Sequence, residues 1–180
     1  MAQFSLFKPK TRNGYLLQEI ASALQKDIRR GNEKEALGWA LEMFPEYSNY
    51  VWKRLLVISA EDVEDPKACS IVNAFREAFY FSNERRAKGE DYKHRIFITK
   101  AVLFLARAVK SRESDHAQHY IDQVLKSGKL PAIPDYAFDV HTKKGRSGGA
   151  DKRKFFEDEQ KSLKPKGEDE YFNKLNKAIL

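Results

Sequence analysis

The chain has 180 residues, 42% of them hydrophobic and 12% aromatic, enough apolar material for a folded core and outside the range of disordered chains. Lys and Arg exceed Asp and Glu by 33 to 26, a net charge of +7 that favours polyanions without identifying one. No apolar run has the length of a membrane span, the N-terminus lacks a secretion signal, and one cysteine, Cys69, excludes an intramolecular disulfide, so a cytoplasmic or nucleoid-associated location is expected.

Residues 1–13 read as an extended arm, interrupted at Pro9 and carrying Phe4, Leu6 and Phe7. A first helix is predicted from about Tyr15 to Arg30, with Leu16, Leu17, Ile20, Leu24 and Ile28 in one stripe and Gly31 at the stop position. Arg29 and Arg30 suit the negative end of its dipole. Asn32, with Glu35 three residues on, forms a capping-box-like start for a second helix. Its apolar positions Ala36, Leu37, Ala40, Leu41 and Phe44 run up to Pro45. Ser48 is placed to cap a third helix, in which Val51, Leu55 and Ile58 are widened by Trp52 and Leu56. This pair of helices, residues 36–63, is expected to form a helical hairpin at the centre of the chain.

Asp65-Pro66 starts a fourth helix, because proline has no N–H to lose at the first position. Ile71, Val72, Phe75, Ala78 and Phe79 should turn inward, with Cys69 in the core and the helix fading at Arg85-Arg86 and Gly89. A fifth, from about Asp91 to Lys110, presents Ile98, Ala101, Val102, Leu105 and Val109. A sixth, from about Ser114 to Lys126, presents Ala117, Tyr120, Ile121 and Leu125 before Ser127-Gly128. No comparable segment alternates with period two. The expected fold is therefore an all-α bundle of about six to eight helices, with a core domain over residues 14–128.

After Gly128 the composition changes. Pro131 and Pro134 precede a short helical turn at DYAFDVH, and Gly145, Gly148 and Gly149 then lie among Lys143, Lys144, Arg146, Lys152, Arg153 and Lys154. Residues 129–180 are expected to hold a mobile basic loop followed by an amphipathic helix carrying Tyr171, Phe172, Leu175, Ile179 and Leu180. The loop suits phosphate contact, with Phe155 or Phe156 stacking on bases; the plainer alternative is a solvated loop.

Catalytic motifs are missing. Gly128-Lys129 is followed by Leu130, and the stretch from Gly145 to Gly149 lacks a Lys-Ser/Thr ending, so no Walker A loop exists. Glu113, His116 and His119 can share a helix face as in half of a di-iron site, but no second Glu-x-x-His occurs, which favours a surface cluster at a helix start. His94 is isolated, and no motif places a nucleophile beside Asp139 and His141. The expectation is a protein without enzymatic activity, metal or cofactor.

Gln3-Phe4-Ser5-Leu6-Phe7 resembles the bacterial sliding-clamp-binding pentapeptide, in which Gln comes first, Ser or Asp third, Leu fourth and Phe fifth; only Phe4 departs from it. Leu6 and Phe7 could fill an apolar cleft while the Gln3 amide fixes register and Ser5 occupies the third position. Three longer segments, SALQKDIRRGNEKEALGWALEMF, VWKRLLVISAEDV followed by Pro66, and ITKAVLFLARAVKS, resemble the C-terminal helical region of the replication-associated recombination AAA+ ATPases. These are called RarA or MgsA in bacteria and are related to the eukaryotic Werner-helicase-interacting ATPase. The ATPase core that precedes this region in the family has no counterpart in the sequence, and the tail from Pro134 through HTKKGRSGG differs. The resemblance implies a helical scaffold that forms a homo-oligomer, a tetramer in the family, or binds a full-length ATPase. The resulting expectation is a DNA replication or repair accessory protein recruited to the sliding clamp; the alternative is a direct DNA- or RNA-binding module using residues 143–154.

Overall fold

The computed structural model describes residues 9–83, 93–129 and 131–179, which are all-α: among them there is no strand, only isolated bridge pairs at Lys10–Leu16 and Val63–Lys110. Contacts divide the chain into two units, Met1–Ser127 and Gly128–Leu180. Among the described residues no helix is long and apolar enough to cross a membrane.

The first unit contains α1 (Leu17–Arg30), α2 (Glu33–Glu42), α3 (Ser48–Glu61), α4 (Ala68–Asn83), α5 (Arg95–Arg107) and α6 (Glu113–Lys126). In α1 the stripe Leu17, Ile20, Leu24 and Ile28 is buried, as its three- and four-residue spacing requires. The helix stops where Gly31 turns left-handed at φ +76 and the Asn32 N–H returns to the Asp27 carbonyl at 2.9 Å, a closure that a side chain would strain. Asn32 does not cap α2 as its spacing with Glu35 suggests. Its amide instead donates to Asp27 Oδ1 at 3.0 Å, and Trp39 Nε1 donates to Asp27 Oδ2 at 2.8 Å. One carboxylate of α1 thus captures both the capping amide and the indole of α2.

Ser48 is likewise redirected: its hydroxyl donates back to the Pro45 carbonyl at 2.6 Å, and α3 starts without a side-chain cap. Asp65 closes a turn ahead of the helix, and α4 begins at Ala68, so Pro66 does not hold the expected first helical position. Asp65 Oδ1 accepts the Lys67 N–H at 2.8 Å, and the Asp65 carbonyl accepts the Ala68 N–H at 3.0 Å, closing the turn into α4. Cys69 is exposed rather than in the core. Ala68, Val72 and Phe79 form the buried stripe of α4, and Cys69 lies about 100° round the helix from Ala68; its sulfur is 3.3 Å from the Ser59 hydroxyl.

The expected central hairpin is not the centre. The helix α2 packs on α1 and α5, and α3 packs mainly on α4, while α5 touches each of α1, α2, α3 and α4. Ile98, Ala101, Val102 and Leu105 of α5 are accordingly fully buried. The residues of the predicted hairpin still belong to the core, where Trp52 is fully buried with its ring 5.5 Å from that of Phe79. His94, just before α5, packs its ring 4.7 Å from Phe79 and 5.6 Å from Phe44. Val109 was expected inward but is 69% exposed. The helix ends at Arg107, Ala108 is extended, and the Val109 carbonyl accepts the Glu64 N–H at 3.1 Å. The predicted start of α5 at Asp91 and the fade of α4 at Arg85-Arg86 and Gly89 lie outside the described residues.

The largest departure is α6. It packs on α3, yet it buries none of its residues, and the predicted inward face of Tyr120, Ile121 and Leu125 is 67, 48 and 50% exposed. Ala117 is exposed as well.

The second unit contains a 3-10 turn (Asp135–Ala137), α7 (Lys143–Ser147), α8 (Lys152–Ser162) and α9 (Phe172–Ile179). The predicted mobile loop is replaced by two capped helices joined at Gly148 and Gly149. The Thr142 hydroxyl accepts the Gly145 N–H at 3.0 Å to start α7, and the Asp151 carboxylate accepts the Lys154 N–H at 3.0 Å to start α8. Composition points to a loop here because glycine and clustered charge disfavour helix, but the local caps outweigh that.

Candidate functional site

The six cations singled out in the sequence flank the α7–α8 junction of the second unit. Three of them make contacts within the unit. Arg146 folds back on its own turn, donating to the Val140 carbonyl at 3.3 Å and the His141 carbonyl at 2.9 Å. Lys144 places its ammonium 3.7 Å from the centre of the Phe138 ring, a cation–π contact. Arg153 pairs with Glu157 one turn along α8 at 3.5 Å. Lys143 and Lys152 are exposed, and among the described residues they make no ion pair. Lys154 is also exposed and lines a groove together with Lys144.

That groove, about 760 Å³ in volume, runs between the 3-10 turn, α7 and α8. Its floor depends on Gly145. A Cβ at this position would stand 1.9 Å from the Asp139 carbonyl oxygen and 2.6 Å from the Phe138 carbonyl oxygen, so only glycine lets α7 lie directly on the backbone of residues 138–139. Asp151 is held below the usual carboxylate range by the backbone N–H of Lys154, with those of Arg153 and Lys152 adding to the effect and desolvation opposing it.

The aromatic residues proposed for base stacking are engaged within the unit. The Phe155 ring lies 5.0 Å from that of His141 and 5.3 Å from that of Phe156, and both phenylalanines are half-buried. Phe156 lines a smaller cavity of about 340 Å³ with Leu163, Tyr171, Phe172 and Leu175. Asp169 Oδ1 accepts the N–H groups of Tyr171 at 3.0 Å and Phe172 at 3.1 Å, setting the start of α9. The Asp139 carboxylate accepts the His141 backbone N–H at 2.9 Å, and the His141 ring lies against Phe155.

In the first unit, a buried ionic network escaped the sequence reading. Asp62, fully buried at the end of α3, accepts Gln25 Nε2 at 2.9 Å, Arg29 Nε at 2.8 Å and Arg112 Nη1 at 3.3 Å. Arg54 adds a bond to Gln25 Oε1. Arg112 also reaches Glu61 at 3.1 Å and bonds Asp115. The Lys110 ammonium donates to the carbonyl of Ala106 in the last turn of α5 at 2.9 Å and to that of Ala108 just beyond it at 2.6 Å, and burial pushes its pKa down while the Asp62 charge opposes that. Alternation between acidic and basic residues is too common for such a set to be identified from spacing alone.

Of the residues weighed as half of a metal site, Glu113 donates its backbone N–H to the Ser111 hydroxyl oxygen at 3.2 Å, and His119 Nδ1 lies 2.8 Å from the Asp115 carbonyl. Asp115 is held below its ordinary range, first by its hydrogen bond from Arg112. Gln3, Ser5, Leu6 and Phe7, the clamp-binding candidates, lie outside the described residues, as does Leu180.

No family model matches the chain. It is similar to the ATPase WRNIP1 of Dictyostelium discoideum, with 22% identity over 142 residues that cover 77% of this chain and 15% of that protein. The chain therefore corresponds to a small part of this relative's length.

Proposed function

We propose that the chain is a helical interaction module serving DNA replication or repair, without catalysis of its own, which self-associates or binds a full-length ATPase and is recruited to the sliding clamp by its N-terminal arm. The observation that carries this reading is the similarity to ATPase WRNIP1 over 77% of the chain. It is supported by the three helical segments resembling the C-terminal region of the recombination ATPases, and by Gln3, Ser5, Leu6 and Phe7 in the clamp-binding pattern. The cytoplasm, including the nucleoid, is where these partners would be met.

Surface plasmon resonance of the whole chain over immobilised bacterial-type clamp tests recruitment. Saturable binding is expected at tens of micromolar, about −6 to −7 kcal/mol, as suits a short peptide. Joint replacement of Gln3, Leu6 and Phe7 by Ala should abolish it. No saturable response in this range removes the arm from the proposal. Light scattering of the purified chain tests self-association, with a tetramer expected and a monomer at all concentrations contradicting it.

A second reading, direct contact with DNA or RNA phosphates, is favoured by Lys143 and Lys152, which are exposed and make no ion pair among the described residues. It predicts binding that weakens steeply with salt and on Lys→Ala change at these two positions.

A further inference from the structure

The groove of the second unit carries the opposite charge from the chain around it. Asp135, Asp139, Asp151, Asp158 and Glu159 line it against Lys144 and Lys154, so it is net acidic in a chain of net charge +7. Three of these groups are already committed: Asp151 caps α8, Asp139 accepts the His141 backbone N–H, and Lys144 lies on the Phe138 ring. Asp135, Asp158 and Glu159, by contrast, make no ion pair among the described residues and are exposed. Beside the carboxylates the lining includes three aromatic rings: Phe138, which carries the Lys144 ammonium, Phe155, which packs on His141, and Tyr136, which is 88% exposed.

We infer that this groove binds an extended, arginine-bearing peptide segment of a partner protein. A guanidinium is the group that meets both features at once, pairing in two-pronged fashion with a carboxylate while its plane lies on an aromatic face. A volume of about 760 Å³ falls in the range of ligand-binding clefts. A nucleic-acid strand fits poorly, because its phosphates would face the carboxylates. A bound metal fits poorly too, since among the described residues no three His, Cys, Asp or Glu converge on one point. The inference rests on the interaction-module reading but is independent of the N-terminal arm.

The test uses the whole chain and a short fluorescein-labelled peptide of alternating arginine and leucine, followed by anisotropy at physiological salt. Binding at tens of micromolar is expected, weakened about tenfold or more by the double change Asp158→Asn and Glu159→Gln. A charge-matched control, Glu168→Gln with Glu170→Gln, removes two carboxylates that do not line the groove and should change binding by less than about twofold. Far-UV circular dichroism checks that both variants keep their helices. Absence of saturable binding overturns the inference, as does equal weakening by the two pairs, which would mean general charge attraction. Saturable binding of a fluorescein-labelled oligo-dT strand that is lost on Lys144→Ala with Lys154→Ala, both of which line the groove, also overturns it, by assigning the groove to nucleic acid. A chain that fails to bind the clamp yet holds the peptide leaves this inference standing, and one that binds the clamp but not the peptide contradicts it.

Discussion

Two single positions carry clear energetic consequences. Trp52 is fully buried, and its indole N–H has no hydrogen-bond partner among the described residues. Trp52→Ala should cost about 3–5 kcal/mol through lost contacts and the cavity left behind. Trp52→Phe should cost distinctly less, because it keeps an aromatic ring against Phe79 and removes an orphan donor that is itself worth about 1–3 kcal/mol. Urea denaturation of the two variants checks the order; equal losses would show that the indole N–H is better satisfied than its surroundings suggest. Gly145→Ala is the second case. With a carbonyl oxygen 1.9 Å from the new methyl, α7 must lift from residues 138–139, at a cost of about 1–3 kcal/mol or more. Hydrogen exchange should accelerate in α7 and at the start of α8 while the amides of α1 and α5 keep their protection. Unchanged exchange in α7 would contradict the close approach.

At the level of elements, Asp62 joins α1 and α3 to the segment leading into α6. Asp62→Ala leaves Arg29 and Arg112 facing a site built for a carboxylate, and about 3 kcal/mol should be lost, since breaking one side of a buried pair strands the other. Asp62→Asn, which keeps an oxygen acceptor, should lose less, as read by the same denaturation. Asp115 gives the pH signature of this region. Its carboxyl is lowered in the folded state by Arg112, so its contribution is fully present above the unfolded value of about 3.9 and disappears as pH falls through the lower folded value. Asp115→Asn should therefore flatten part of the acid limb of stability against pH; an unchanged limb would show that the pair stabilises nothing. The helices themselves were legible because Leu17, Ile20, Leu24 and Ile28, or Ile98, Val102 and Leu105, recur at a spacing only one face can satisfy. What spacing cannot show is whether that face finds a partner. Tyr120, Ile121 and Leu125 have the same periodicity as a buried stripe and lie exposed on α6. Cap chemistry was half legible for a related reason: Asp65 closes its own turn, whereas Asn32 and Ser48 were drawn off by the Asp27 carboxylate and the Pro45 carbonyl. In the candidate site, the cations and aromatics were visible as residue types. The carboxylates that give the groove its sign come from positions up to 24 residues apart, Asp135 to Glu159, and only the fold assembles them.

For the molecule as a whole, charge is divided rather than concentrated. Residues 128–180 hold twelve Lys and Arg against nine Asp and Glu, so neither unit has the strong single-sign field of a dedicated polyanion binder. Any affinity for a nucleic-acid strand should accordingly fall steeply between low and physiological salt and fall further with Lys143→Ala and Lys152→Ala, as filter binding across a salt series would show. Salt-insensitive binding would point to base contacts instead. The placement of α5 has a further consequence, for synthesis. The helix that touches α1, α2, α3 and α4 is the last of the five to be made, and it supplies Ile98, Val102 and Leu105 to their common interior. Until Arg107 has cleared the ribosome, α1 can pack on α2 and α3 on α4, but the faces of all four that meet α5 stay uncovered, and nascent chains stalled before that point should be the ones that chaperones hold and proteases cut.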